Sequence, residues 1–160
     1  MKQKPTLVVE DRTKEILDSL KKFRGDKVLV GIPDDGDDRG DDAEIGNAAL
    51  LFINNFGSPA NNIPARPVME IGMRNAQDAV AEQMKKAVQN AGDQKKVDMC
   101  YERAGIIASN SVKRAINDQI DIEPLADSTL KNRESRGFKG TKALIVTGQL
   151  RNAITYVVKR

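Results

Sequence analysis

Two prolines three positions apart, in Ile63-Pro64-Ala65-Arg66-Pro67, constrain this chain more than any other feature. Each proline locks its own φ and drives the residue before it into extended geometry. Upstream, residues 47–56 form an apolar helical segment (Ala48, Ala49, Leu50, Leu51, Phe52, Ile53). It stops at Asn54-Asn55-Phe56-Gly57-Ser58-Pro59, where Gly57 supplies a left-handed C-cap and Pro59 forbids continuation. Residues 47–67 should therefore form a corner: a helix, a polar turn, then a short stiff extended peptide set at a fixed angle to the long helix that follows. A chain needs such a corner where backbone direction matters, at a fold junction or a contact surface. Nothing in the stretch suits catalysis.

The hydrophobic pattern on either side predicts an α+β fold. Residues 6–10 (Thr-Leu-Val-Val-Glu) suit a short edge strand, and residues 11–23 an amphipathic helix with Ile16, Leu17, Leu20 and Phe23 on one face, ended by Gly25. Residues 27–32 (KVLVGI) form a strand, and residues 43–56 a helix. Residues 68–90 place Met69, Met73, Ala76, Val80, Met84, Ala87 and Val88 at spacings of three and four. Ala91-Gly92-Asp93 breaks that helix, and residues 97–119 repeat the pattern with Val97, Cys100, Tyr101, Ala104, Ile107, Ala108, Val112, Ala115 and Ile116. The alanines permit close approach, so the two long helices should pair as an antiparallel hairpin. Asp127-Ser128 can cap a short exposed helix to about residue 136, and Thr147-Gly148-Gln149-Leu150 starts another with Leu150, Ala153 and Ile154 on one side. The final run, Ile154-Thr155-Tyr156-Val157-Val158, is β-like and should pair with residues 27–32 or 6–10. The expectation is one domain over residues 1–160, with a small antiparallel sheet packed against a helical hairpin and shorter helices.

Composition removes most chemistry. There is no His, hence no imidazole base, metal ligand or pH switch. The lone Cys100 lies in an apolar helical pattern, where a small core residue is expected rather than a nucleophile. Serines are present, but no histidine can serve them, and no Gly-x-Ser-x-Gly elbow, Gly-x-Gly-x-x-Gly or Walker A pattern occurs. The expectation is a non-enzyme with no cofactor. No apolar run suits a membrane span or a signal peptide, so the chain is expected to fold in a cytosol. Aromatics are only 4%, so the core should be aliphatic and small.

Charge is polarised along the chain. Residues 33–44 carry seven acidic side chains against Arg39, net −6, and read as a mobile acidic loop. Calcium binding of the EF-hand kind fails in both available registers. With Gly40 at the sixth position Arg39 falls on a ligand site, and with Gly36 there Gly31 does. Asp37 and Asp38 are the residues a looser metal site would use. Residues 131–160 are net +7. Opposite charge at two ends suits head-to-tail packing of identical subunits, which makes Asp37, Asp38, Arg133, Arg136 and Lys139 candidate interface residues. It also suits a solvated surface, or a basic face of Arg133, Arg136 and Lys139 on nucleic acid.

Three pieces in order resemble a known family. They are the helix ending in Phe56-Gly57, the Ile63-Pro64-Ala65-Arg66-Pro67 segment before a long helix, and the late pair Pro124-Leu125 and Leu144 with Thr147-Gly148-Gln149-Leu150. The chain is similar in these to the tail-component, or virion-morphogenesis, proteins of tailed double-stranded DNA bacteriophages. It departs where Val68-Met69 replaces the family's usual Phe-Leu and where Ala153 stands for a frequent Ser. The resemblance implies a structural protein of the virion head–tail junction, made in the host bacterial cytoplasm. It would be a neck or tail-completion protein forming a homo-oligomeric ring, six-fold by preference and twelve-fold as the other stoichiometry. Its partners would be portal or head–tail adaptor proteins on one side and tail tube or tail terminator proteins on the other. DNA would pass through the lumen without sequence-specific contact. The runner-up role is the tail terminator itself, and a second alternative is a non-specific DNA-binding protein. In this setting Ile63, Pro64, Ala65, Arg66 and Pro67 become candidates for a fixed subunit contact. An ordinary surface position or an intrachain ion pair is the alternative for Arg66.

Overall fold

A computed structural model describes residues 13–22, 26–37 and 44–159. The suggested strand at 6–10, Phe23, Gly25 and Asp38 lie outside the described residues. The element order is α1 (Thr13–Lys22), β1 (Lys27–Gly31), α2 (Asn47–Phe56), α3 (Val68–Gln89), α4 (Gln94–Asp118), α5 (Asp127–Ser135), α6 (Gln149–Ala153) and β2 (Thr155–Lys159). Short 3₁₀ turns stand at Asp34–Gly36 and Pro59–Asn61. The α+β expectation holds: a two-stranded antiparallel sheet packs on a pair of long helices.

The sheet joins the first described strand to the last. Val28 faces Val158, Leu29 faces Val157 and Val30 faces Tyr156 across the pair. Alternation puts Val28, Val30, Tyr156 and Val158 on one side and Leu29 with Val157 on the other. The first side is half-buried; Leu29 and Val157 are exposed.

The hairpin of α3 and α4 is the most extensive pairing in the fold. Its closeness is set by small side chains: Gly72, Ala76 and Ala87 of α3 are buried, as are Ala104, Ala108 and Ala115 of α4. At Gly72 a Cβ would come within 2.5 Å of the Val112 Cα, so only glycine fits this crossing. Of the apolar residues assigned to the buried stripe of α3, Met73 and Val88 are exposed. The stripe in fact runs through Val68, Gly72, Ala76 and Ala87. It is narrower than the periodicity suggested: among the described residues the extensive pairing of α3 is with α4, whereas α4 meets α3, the sheet and α6.

Leu51, Val68, Val112, Ile116, Leu144, Leu150 and Ile154 are among the residues of the main core. A second cluster near the hairpin bend holds Ala87, Val97, Cys100 and Tyr101. The Tyr101 phenol is pushed up to about 12, first by burial and then by the Asp26 carboxylate beside it.

The corner at residues 47–67 is built as a set of exchanged caps. Gly57 has φ 77° and ψ 173°, so it ends α2 in an extended glycine-only conformation and not in the left-handed helical one. A Cβ there would lie 2.8 Å from the Ala65 nitrogen. Ser58 and Ile63 pair backbone to backbone around the Pro59–Asn61 turn. The Arg66 N–H then donates to the Asn54 carbonyl at 2.7 Å, tying the Pro-framed segment to the end of α2. Pro67 adopts φ −75°, ψ 59°, and the Val68 N–H reaches the Arg66 carbonyl: an inverse γ-turn that starts α3. Pro67 makes no cap of its own. Buried Asn55 supplies it from α2: its Oδ1 accepts the Met69 N–H at 3.1 Å, and its Nδ2 donates to Glu70 at 3.0 Å. The last turn of one helix thus caps the first turn of the next.

Candidate binding groove

The sequence pieces singled out above meet at one place. Ile63, Pro64 and Arg66 line a cavity of about 590 Å³ together with Pro124, Leu125, Leu144, Thr147, Gly148 and Leu150. Leu50 and Asn54 of α2, Thr129 and Arg133 of α5, Glu123 and Val146 also stand in its walls. Residues separated by more than 80 positions in the chain therefore share one wall. Phe56 and Gly57 do not line it, nor do Ala65, Pro67, Arg136 or Lys139.

Arg66 forms the floor and is 5% exposed. Its guanidinium is spent within the chain. Nε donates to the Glu123 carbonyl at 2.7 Å, Nη2 to the Pro124 carbonyl at 3.1 Å, and Nη1 reaches the Pro64 carbonyl at 3.5 Å. Its role is to clamp the chain between α4 and α5 onto the Pro-framed corner. This corrects the expectation of a contact offered to a neighbour, and the intrachain alternative is itself refined, since the partners are carbonyls rather than a carboxylate. Burial lowers its pKa; the Glu123 charge opposes this and the Arg133 charge adds to it. The two arginines thus feel each other across the groove.

Arg133 is also committed, but only in part. Its Nη1 donates to the carbonyls of Gly140, Lys142 and Ile145 at 3.1, 2.9 and 3.0 Å, which folds the 140–145 segment against α5. Burial lowers its pKa. One edge of this candidate interface residue therefore builds the wall of the groove. Arg136 and Lys139 are exposed, as an interface or nucleic-acid role requires.

Gln119, which no sequence pattern marked, ties the end of α4 to the segment that carries Leu144. It ends α4 at φ 57°, donates through Nε2 to the Ile116 and Ala143 carbonyls, and accepts the Ala143 N–H at 2.8 Å. Lys142 Nζ donates to the Asn117 carbonyl, and Arg151 Nη1 to the Asn117 side chain at 2.9 Å. These contacts press the 142–145 segment onto the helical hairpin, where Leu144 sits buried with φ 62°. Gly148, at φ 82°, then precedes α6.

The acidic stretch carries a short helical turn in its described part. Asp34–Gly36 form a 3₁₀ turn between Pro33 and Asp37. Asp37 caps α2: its carboxylate accepts the Ala48 N–H and its carbonyl accepts the Asn47 N–H at 3.1 Å. Its negative charge sits at a helix N-terminus, where the dipole favours it. This candidate interface residue is thus engaged within the chain. Among the described residues no three His, Cys, Asp or Glu side chains converge as a metal site would require, and no helix is long and apolar enough to cross a membrane. The short helix α5 begins after Ala126, so Asp127 and Ser128 lie inside its first turn and make no capping bond.

Outside the groove, Phe52 and Phe56 meet in a tilted ring contact on α2, with centroids 4.8 Å apart and planes at 51°, and are 64% and 60% exposed. Comparison of the chain with family models, with curated proteins and with solved structures gave no match.

Proposed function

We propose that this chain is a structural subunit of the head–tail junction of a tailed bacteriophage, a neck or tail-completion protein that works as a ring and performs no catalysis. The observation that carries the proposal is the groove. The Pro-framed corner, the Pro124-Leu125 pair and the Leu144/Thr147-Gly148/Leu150 run are far apart in sequence but form one lined cavity. An ordered set of motifs that converges in space has a common structural cause, which a chance likeness of separate pieces lacks. Exposed apolar surface supports assembly. Phe52 and Phe56 on α2, and the Leu29–Val157 pair on the outer side of the sheet, are placed as interface residues are. Among the described residues the two-stranded sheet leaves both outer edges unpaired, where a neighbour can extend it.

Mass spectrometry of purified virions tests this directly. The protein is expected as a constituent, with density in a cryo-EM map between portal and tail tube. Its absence from complete particles overturns the proposal, and density on the tail tube alone assigns the tail-terminator role instead. Non-specific DNA binding is the second reading, for which Arg136 and Lys139 are exposed and Arg133 keeps one edge of its guanidinium open. A salt-sensitive gel shift abolished by neutralising Arg136 and Lys139 would favour it.

A further inference from the structure

Two charged features are left uncommitted by the fold. The first lies in the groove. Arg133 is anchored through Nη1, while its Nε and Nη2 carry no hydrogen bond among the described residues. That open edge is a fork able to hold one carboxylate through two parallel bonds. Buried Arg66 puts a second positive charge nearby, against which the groove sets one carboxylate, that of exposed Glu123. The second feature is the 3₁₀ turn. Asp34 and Asp35 are exposed, and their carboxylates make no hydrogen bond or ion pair among the described residues. The turn is nevertheless held at both ends, by β1 before it and by the Asp37 cap on α2 after it. Two acids on an anchored turn are presented at little further cost in conformational entropy.

We propose that the Asp34-Asp35 turn of one copy seats in the groove of a second copy, with one carboxylate on the Nε/Nη2 edge of Arg133. Pro33 then lies toward the apolar wall made by Ile63, Leu125 and Val146. Each copy carries both halves, and Asp34 and Asp35 are not among the residues that line their own groove. The contact is heterologous, the type that closes into a ring when the rotation between copies allows. Charge favours a copy of this chain as the occupant: residues 33–44 are net −6, whereas residues 131–142 hold five basic side chains against Glu134. This proposal gives an interface to the ring subunit proposed above and rests on that reading. It is tested in solution without the virion, so either can fail alone.

Sedimentation velocity on the full chain over a concentration series is the experiment. The wild-type protein is expected to self-associate, less so as salt rises. Asp34→Asn with Asp35→Asn should weaken association about tenfold or more. Because Arg133 also folds the 140–145 segment, the groove is blocked independently by Val146→Glu, an exposed position facing the incoming acids. The decisive sample mixes the Asp34→Lys/Asp35→Lys protein with the Val146→Glu protein. Each should be monomeric alone. Together they offer one intact turn and one intact groove, so they should form a heterodimer that grows no further. A wild-type monomer at every concentration overturns the proposal, as does unchanged association of the Asn/Asn protein. A mixture that stays monomeric overturns it too, and so does a groove that captures an acidic segment of another virion protein while this chain stays monomeric.

Discussion

The helical hairpin and the groove end of this molecule are held together by opposite means. Along α3 and α4 the contacts come from residues that lack side-chain bulk, Gly72, Ala76, Ala104 and Ala108, and the helices meet because nothing stands between them. Around the groove the contacts come from long polar side chains. Arg66, Arg133 and Gln119 reach between two and 58 residues along the chain to backbone carbonyls. The first region should fail when atoms are added and the second when donors are removed. A packed helix pair satisfies its own backbone, so it needs only shape. A run of irregular chain such as 119–126 or 137–148 leaves carbonyls that water or side chains must satisfy, and here arginine and glutamine do so.

The largest test of that contrast is Arg66→Ala. Three carbonyls lose a charged donor in a buried site, and a loss of about 3 kcal/mol is expected in chemical denaturation. Arg66→Lys should recover less than half of it, since an ammonium cannot reproduce the fork. Full recovery by Lys would mean that charge alone matters at this position. Gly72→Ala comes next, at about 2 kcal/mol, because the methyl meets the backbone of Val112. Its control is Gly92→Ala in the hairpin bend, where a Cβ meets nothing within 4 Å and the change should stay within about 0.5 kcal/mol. Equal effects at both glycines would remove close packing as the explanation. Asn55→Ala should cost about 1 kcal/mol by uncapping α3 from a distance. Deletion of the α3 cap should also speed amide exchange in the first turn of α3, near Met69, and leave the hairpin bend protected.

The smallest effect is nil at neutral pH. Tyr101 keeps its proton to about 12 in the folded chain, whereas the unfolded phenol ionises near ~10. Between those values the folded state binds more protons than the unfolded one, so stability should fall as pH rises through that window and be unaffected below it. Tyr101→Phe should flatten that slope. An equally steep decline in the Phe variant would place the alkaline sensitivity elsewhere, for instance at Tyr156, whose pKa is raised by its hydrogen bond to Glu102.

Local sequence information reached some of these features and not others. Periodicity located β1, both long helices and the terminal strand to within a few residues, because each is a run whose side chains repeat in a fixed rotation. It misjudged Met73 and Val88, since an apolar stripe reports what a helix is able to bury and not how much of it a neighbour covers. The prolines marked the corner at 63–67. That the corner is bolted down by Asn55, with Asp37 playing the same part for α2, was not legible, because a cap supplied from another helix has no fixed spacing from its target. The motif residues Pro124, Leu125, Leu144, Thr147, Gly148 and Leu150 could be picked out one by one; their shared cavity could not.

By itself, then, the chain's order of residues decided the element types, the small-residue seam of the hairpin and the polar charge distribution. These follow from backbone sterics and from side-chain volume, which act over a few residues. Only the tertiary structure decided which arginines are spent on the fold, which edge of Arg133 stays open and which acids stand clear of it. Hydrogen-bond partners of long side chains are chosen by distance in space, and residues 66, 123 and 133 are neighbours only in the folded chain.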